Sequence, residues 1–535
     1  MQTSYQSAAT SSSTPIVDRA AEKSSAYSAL CVALVVLASV PLVLSVFPPF
    51  IDYPFHLARI DMLSHWSTSA FIRDHYEIPS LVLPNLSLEI LMLPLSKLMP
   101  TEWAGVVFIA TTFALMLSGT VVLHRVLFGT RSLWPLVAAA WLYNWIVFYG
   151  FLNYVFGVSV MLWCLIAWLR MSEREGWMRL LVGTALALFL FFCHLIAFIL
   201  YAFAIAGYEL QRSILSWRQS GRPSLSNLLI GAAPFVPAVI VYLFVSPTRS
   251  AAKHALIYDL FSKFSSVIVN LTSGNLFVDG LTLLLLLAAA ALVIRGSAKI
   301  EVSTRFIGAF IGIAVAFLIA PLTIEHPGPA YLDVRMPVAL LFTAIAMTRL
   351  TFKTPKMARW AAGIFGLYFL IKIAVLSASA TQYKQLVLEH LSAFDHMQPK
   401  STLFAVRQRI DDTFYRRFYV DRLQAPGHIN ALAAIRREVF VPAIYTVPGG
   451  QPIAVRERFA AVKKAQGDQP VWVRDAGELE ELIAKFAKLH REASPGQAAY
   501  VLMQDRAGAL PLPAGVEVVA TGPGFRLVKI VNAQP

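Results

Sequence analysis

Between residues 27 and 381 the chain alternates long apolar runs with short polar breaks, and after Thr381 the pattern returns to mixed apolar and polar positions. Runs of about 18 or more apolar residues are long enough to cross a hydrocarbon core of about 30 Å as helices. The pattern predicts about eleven such helices, near 27–47, 103–124, 133–149, 151–169, 179–192, 195–211, 226–246, 278–294, 306–324, 336–349 and 359–379. The run from Leu180 to Tyr208 reads either as one long tilted helix or as two short ones divided at Cys193 and His194; the division keeps the charge pattern consistent.

The polar breaks give the orientation. Alternate connections carry Arg125 and Arg131; Arg170, Arg174 and Arg179; Arg212, Arg218 and Arg222; Arg295, Lys299 and Arg305; and Arg349, Lys353, Lys356 and Arg359. By the positive-inside rule these loops and the N-terminus are cytoplasmic. With an odd number of crossings, residues 381–535 and the first long loop, 48–102, lie outside. The fold class expected is therefore an α-helical polytopic membrane protein with a C-terminal extracytoplasmic α/β domain. Residues 1–25, rich in Ser, Thr and Ala, read as a disordered cytoplasmic tail, and 27–47 as a retained anchor, too long for a signal-peptide core. Composition agrees, with 57% hydrophobic and 14% charged residues and a mean hydropathy of +0.62. The net charge of +14 is thereby mostly a topology signal, and nucleic acid is not an expected partner.

In the C-terminal region short β-rich runs occur at 402–406, 439–446, 471–473 and 499–503, followed by a hairpin, VEVVATGPGFRLVKI. A helix follows Asp475, with Leu479, Leu482, Ile483, Phe486 and Leu489 as its apolar stripe. No phosphate loop, metal cluster or nucleophile elbow is legible there, which favours a lid or acceptor-docking domain. The three cysteines, Cys31, Cys164 and Cys193, all lie in apolar segments and outline no disulfide framework.

Candidate chemistry gathers on the outer side. In FPPFIDYPFHLARID, residues 47–61, Asp52 fits an N-cap and Pro54 the first helical turn. Spacing i, i+4, i+7 then places Asp52, His56 and Arg59 on one helix face. The bland alternative is an interfacial helix whose arginine snorkels to headgroups. A second helix, 86–98, carries Glu89 among apolar residues. His194 stands between LFLFF and LIAFIL, where an ionisable group marks a bundle interior or wet cavity or a helix turn. His326, Asp333 and Arg335 lie in EHPGPAYLDVRMP. Lys372, within the last apolar run, is placed to reach the outer interface, and Arg249, Lys253, His254 and Asp259 to guide an anionic lipid or form a solvated segment. Two short sequons, at 85–87 and 270–272, also occur.

The acid just after the first membrane helix, in IDYPFHLAR, and the stretch AYLDVRMPVALLF resemble motifs of the C-type superfamily of integral-membrane glycosyltransferases, which includes protein O-mannosyltransferases and lipid A aminoarabinose transferases. The resemblance implies an inner-membrane enzyme that moves a sugar from a polyprenyl-phosphate donor to an envelope glycan, lipid or protein acceptor. It makes Asp52 the catalytic carboxylate; the second stays open among Asp61, Asp74, Glu77 and Glu89, with Glu89 taken as the catalytic candidate, and His56, Arg59, His194, His326, Asp333 and Arg335 are the candidate substrate-binding residues. Many members carry two adjacent acids in the first loop, whereas Tyr53 follows Asp52 here. A divalent metal, Mg or Mn, is accordingly an open expectation. Physical chemistry supports the assignment independently: a carboxylate beside a low-dielectric surface gains basicity, and an arginine fork suits a phosphate leaving group. Rival readings are a transporter or flippase for lipid-linked precursors, a polysaccharide polymerase or ligase, and a non-catalytic envelope-assembly protein.

Overall fold

In the computed structural model the described residues are 24–172, 174–222, 224–248, 256–321, 323–324, 331–409, 425–446, 449–505 and 510–531. They form a helical bundle followed by a five-stranded α/β unit. Among the described residues eight helices are long and apolar enough to cross a membrane: Ser25–Ser45, Thr101–Phe128, Leu152–Met171, Gly176–Cys193, Leu195–Ser220, Leu225–Phe244, Leu276–Ile294 and Pro355–Phe394.

The other three expected spans are helical but short. Residues 133–149 are a 3-10 helix, Trp134–Trp141, and a separate helix, Trp145–Tyr149. Asn144 causes the break, because its side chain accepts from the amides of Ile146 and Val147 and so starts a new helix. Helices Ile307–Ile319 and Pro337–Met347 have 13 and 11 residues. The Leu180–Tyr208 run is divided at His194, whose φ of −168° and ψ of 124° take it out of the helix.

Lys372 does not reach an interface. It is buried and donates to the carbonyls of Ala140 and Tyr143, 2.6 and 3.3 Å away. The Ala140 carbonyl lies at the end of the 3-10 helix and the Tyr143 carbonyl just beyond it, where helical donors run out and the ammonium supplies one. Asn85 and Asn270, the sequon asparagines, are likewise spent internally: Asn85 accepts from the Leu195 amide, and Asn270 donates to the Ser266 and Val334 carbonyls. Asp259 caps helix Leu260–Val269, while Arg249, Lys253, His254 and His326 lie outside the described residues.

The basic loops gather at one end of the bundle. There Ala298–Val302 pairs with Thr348–Phe352, Arg349 bridges to Glu301 at 2.5 Å, and Arg305 donates to the Leu169 carbonyl. Arg179 and Glu209 form a buried pair at 2.6 Å, to which Trp168 adds an indole donor.

At the other end the helix Pro355–Phe394 continues past residue 380 and feeds directly into the α/β unit. The sheet runs in the order Val516–Gly522, Phe525–Ile530, Ala499–Gln504, Thr402–Gln408, Val471–Val473. The pairings from Ala499–Gln504 through Thr402–Gln408 to the Val471–Val473 edge are parallel, and those from Val516–Gly522 to Ala499–Gln504 are antiparallel. The expected strand at 439–446 is instead an irregular stretch with one bridge, Thr402 to Phe440, and Asp475 caps helix Ala476–Ala493 as expected. The first long loop, 48–102, clamps onto this unit. Tyr76–Glu77 pairs with Ala454–Val455, Arg458 meets Asp74 and Glu438 meets Ser69, and His75 stacks on Phe459 at 4.4 Å.

Candidate functional site

The clamp holds the Asp52 stretch between three parts of the chain. From below, the Ile51 and Asp52 amides donate to the Phe148 and Tyr149 carbonyls at 2.9 and 3.2 Å. Gly150 terminates that turn with φ +92°. A β-carbon at Gly150 would fall 2.6 Å from the Asp52 amide nitrogen and 2.9 Å from its Cβ, so glycine satisfies both the left-handed backbone and the close approach.

Helix Tyr53–Ser64 follows, with Pro54 in its first turn as expected. Asp52 is the N-cap residue by position, but its carboxylate makes no capping bond. That group has no hydrogen-bond partner among the described residues, which leaves it available for chemistry. His428 Nε2 is 3.8 Å from Oδ1, beyond hydrogen bonding. Burial pushes the His428 pKa down to about 3, with Arg407 adding to the shift, so this neighbour is a neutral imidazole.

The Asp52 side chain is half-buried and keeps 28% of its exposure at this crowded junction. It therefore lies on the wall of a recess. Burial pushes its pKa up to about 7, against the opposing pull of Arg335 and then Arg59. Near neutral pH the group divides between acid and carboxylate, as a general base requires.

Arg335 is the strongest charge acting on Asp52, and Asp52 the strongest acting on Arg335. Helix Leu332–Arg335 presents it, and its guanidinium lies 3.8 Å from the centroid of the Phe151 ring, a cation–π contact. Its Nε has no hydrogen-bond partner among the described residues. Burial lowers its pKa, Asp52 and Tyr445 raise it in turn, and guanidinium chemistry keeps the group cationic. Tyr149 is coupled to it, and the Tyr331 ring packs on Tyr149 with centroids 5.1 Å apart.

His56 lies one turn beyond Asp52, as spacing predicted, and its Nε2 is 2.9 Å from the Gly150 carbonyl. Burial and then Arg59 push its pKa down to about 3. The ring is thus neutral and donates through Nε2, while Nδ1 is left without a partner.

Arg59 does not snorkel. It is 2% exposed and paired to Glu89, itself 7% exposed, with Nε to Oε1 at 2.7 Å. Glu89 thereby answers a buried cation, and the two charges lock helix Tyr53–Ser64 to helix Ser87–Ser96. His194 accepts the Ile196 amide through Nδ1 and so caps helix Leu195–Ser220. Its ring meets Tyr154 edge-on at 5.1 Å, and it feels the Arg335 charge. Asp333 belongs elsewhere: it is buried and its charge is coupled to Lys263 and Asp259.

Several residues at the site carried no recognisable sequence signal. His428, from the 3-10 helix Ala425–Ala431, packs on Phe55 at 4.1 Å. Two residues on, Asn430 is 0% exposed, and neither of its amide atoms has a partner among the described residues. Tyr445 faces the site from the same unit, close enough to couple electrically to Arg335, Asp52 and Arg59. Beneath the recess Asn153 ties the loop down, accepting from Ser87 Oγ and the Leu88 amide and donating to the Asn85 carbonyl. Only the αL backbone of Asn85, φ +71°, hints at such a knot, since Asn adopts that region more readily than most residues.

A divalent ion does not fit these residues. Asp52 faces two cations, Glu89 is committed to Arg59, and among the described residues no group of three or more His, Cys, Asp or Glu comes together. No protein-family model matches the chain, and no curated protein matches it.

Proposed function

We propose that this chain is an inner-membrane glycosyltransferase that moves a sugar from a polyprenyl-phosphate donor to a hydroxyl of an envelope glycan, lipid or protein on the outer face of the membrane. The observation that carries this reading is the juxtaposition of Asp52, uncapped and poised near pH 7, with the Arg335 guanidinium in one recess. A base and a fixed cation are the two groups a single displacement at an anomeric carbon requires.

In this mechanism Asp52 takes the proton of the acceptor hydroxyl as its oxygen attacks the anomeric carbon. The bond from that carbon to the phosphate oxygen breaks, and polyprenyl phosphate leaves with the electron pair. Attack opposite the leaving group inverts the anomeric centre. Arg335 stabilises the charge that builds on the phosphate, and its unpartnered Nε is a donor in reserve. Tyr149 and Tyr331 offer rings beside it for the apolar face of a sugar.

Eleven crossings, with the N-terminus inside and the α/β unit outside, belong to the same reading. Arg179, Arg212, Arg305 and Arg349 at one end of the bundle, and the Asp52 recess at the other, match the positive-inside rule.

The test is Asp52→Asn in cells, with envelope glycans compared at matched protein level. Loss of one glycan species supports the proposal; an unchanged profile sinks it.

A further inference from the structure

The α/β unit brings an imidazole to the Asp52 carboxylate. His428 sits in the 3-10 helix Ala425–Ala431, where its neighbours Ile429, Asn430 and Ala431 are fully buried. Its own ring is buried and lies against Phe55, with centroids 4.1 Å apart. Phe55 belongs to the first turn of helix Tyr53–Ser64, so this contact joins the unit to the helix that Asp52 starts. The imidazole is held from both sides, whereas the Asp52 side chain keeps part of its exposure and makes no capping bond. Of the two groups, the carboxylate is the one free to turn.

Nε2 is the nitrogen that faces it, 3.8 Å from Oδ1. A neutral imidazole carries one ring hydrogen, and its surroundings decide which nitrogen holds it. Nδ1 has no hydrogen-bond partner among the described residues, whereas Nε2 has a carboxylate oxygen opposite. The hydrogen therefore belongs on Nε2, pointing at Asp52. A shift of about 1 Å closes the gap to an ordinary N–H···O distance, and catalytic hydrogen bonds are often this long before substrate binds. Once Asp52 is ionised its oxygens are acceptors only, and Arg335 and Arg59 both pull on them. A carboxylate drawn flat onto a guanidinium has both oxygens occupied and none left for an acceptor hydroxyl. A separate donor on Oδ1 prevents that and leaves Oδ2 for the proton in transfer.

We infer that His428 is a positioning residue for Asp52: its Nε2–H donates to Oδ1 of the ionised carboxylate, fixes the plane of that group and turns Oδ2 toward the reacting hydroxyl. The donation itself is independent of the reaction; its purpose rests on the proposed role of Asp52 as base. Because the donor comes from the α/β unit, seating of that unit becomes a condition for a competent base.

The test pairs His428→Leu, which removes the donor, with His428→Gln, whose amide nitrogen reaches the place of Nε2. Protonation of Asp52 is followed by infrared difference spectroscopy of the purified full chain in detergent, its band identified by its absence from Asp52→Asn. Over the same pH range kcat/KM is measured with lipid-linked sugars and acceptor extracted from the chain's own membranes. Arg335, Arg59, Tyr149 and Tyr445 also act on this carboxylate, and His56 lies one turn along its helix; all five stay in place in every variant, so their effects are common to all the titrations. A donor to the charged form lowers a carboxylate pKa. His428→Leu should therefore raise the infrared midpoint and the rising limb of kcat/KM together, by about one pH unit, which is about a tenfold fall in rate on the acid side of the limb. His428→Gln should restore both. Packing on Phe55 alone would be kept by leucine, so midpoints that stay in place in His428→Leu overturn the inference. So does a folded His428→Gln protein that behaves as His428→Leu. A midpoint that moves as expected in a chain that transfers no sugar would uphold the donation and count against the transferase reading instead.

Discussion

The Asp52 amide donates to the Tyr149 carbonyl at 3.2 Å, and the next residue, Gly150, leaves no room for a β-carbon beneath it. The backbone that carries the candidate base is thus seated on a turn that only glycine can make. Gly150→Ala should therefore act on the site before it acts on the bundle. Left-handed backbone costs a non-glycine residue about 1–2 kcal/mol, and the clash with Asp52 adds to it. The expected result is a modest fall in melting temperature with a large loss of transferase activity. A Gly150→Ala protein with full activity would show that the seat does not matter.

Arg59 and Glu89 make a prediction of opposite kind. Removing one partner of a buried pair strands the other charge, at a cost of about 3–5 kcal/mol. Glu89→Ala should then express poorly or melt early, whereas Arg59→Met with Glu89→Met, which removes both charges and fills the space, should recover most of the stability. Urea or thermal unfolding in detergent checks this. If the double variant is well folded, its activity also decides whether Glu89 has a chemical task.

This pair marks where the sequence was legible and where it was not. Helix spacing placed Asp52, His56 and Arg59 along one helix, and hydropathy located each apolar segment. What spacing cannot see is the partner across the helix: Arg59 turned out to face Glu89, 30 residues on, and Asp52 to meet His428. The broken span at Asn144 was hidden for a related reason, since one capping side chain outweighs a continuous apolar run. Lys372 read as an outward-reaching cation because its acceptors, the Ala140 and Tyr143 carbonyls, belong to a helix end that hydropathy does not mark.

The raised pKa of Asp52 sets a pH dependence. As a base it must be ionised, so kcat/KM should rise with pH through an apparent pKa of about 7. Arg335 pulls that value down; Arg335→Gln should therefore move the rising limb to higher pH as well as lower the rate. A limb that stays in place would detach Arg335 from Asp52. Stability runs the other way. Because the folded state holds this proton more tightly than the unfolded chain, the contribution is fully present below about pH 4 and is lost as pH rises to about 7. Asp52→Asn should accordingly stabilise the protein at pH 8, on the order of 1–3 kcal/mol, and have little effect at pH 4.

Tyr445 brings the α/β unit into the site. Its hydroxyl is coupled electrostatically to Asp468 and then to Arg335 and Asp52. Tyr445→Phe should lower kcat/KM without changing the melting temperature. An unaltered rate would return the unit to the role of a lid.

The central claim is that Asp52 takes a proton while polyprenyl phosphate leaves. The most direct measurement is release of free polyprenyl phosphate when the purified chain, reconstituted in vesicles, is supplied with lipid-linked sugars and acceptor extracted from its own membranes. Wild type should release it steadily, and Asp52→Asn, equally folded, should be slower by about 10²-fold or more. Equal release by the two proteins would contradict the account.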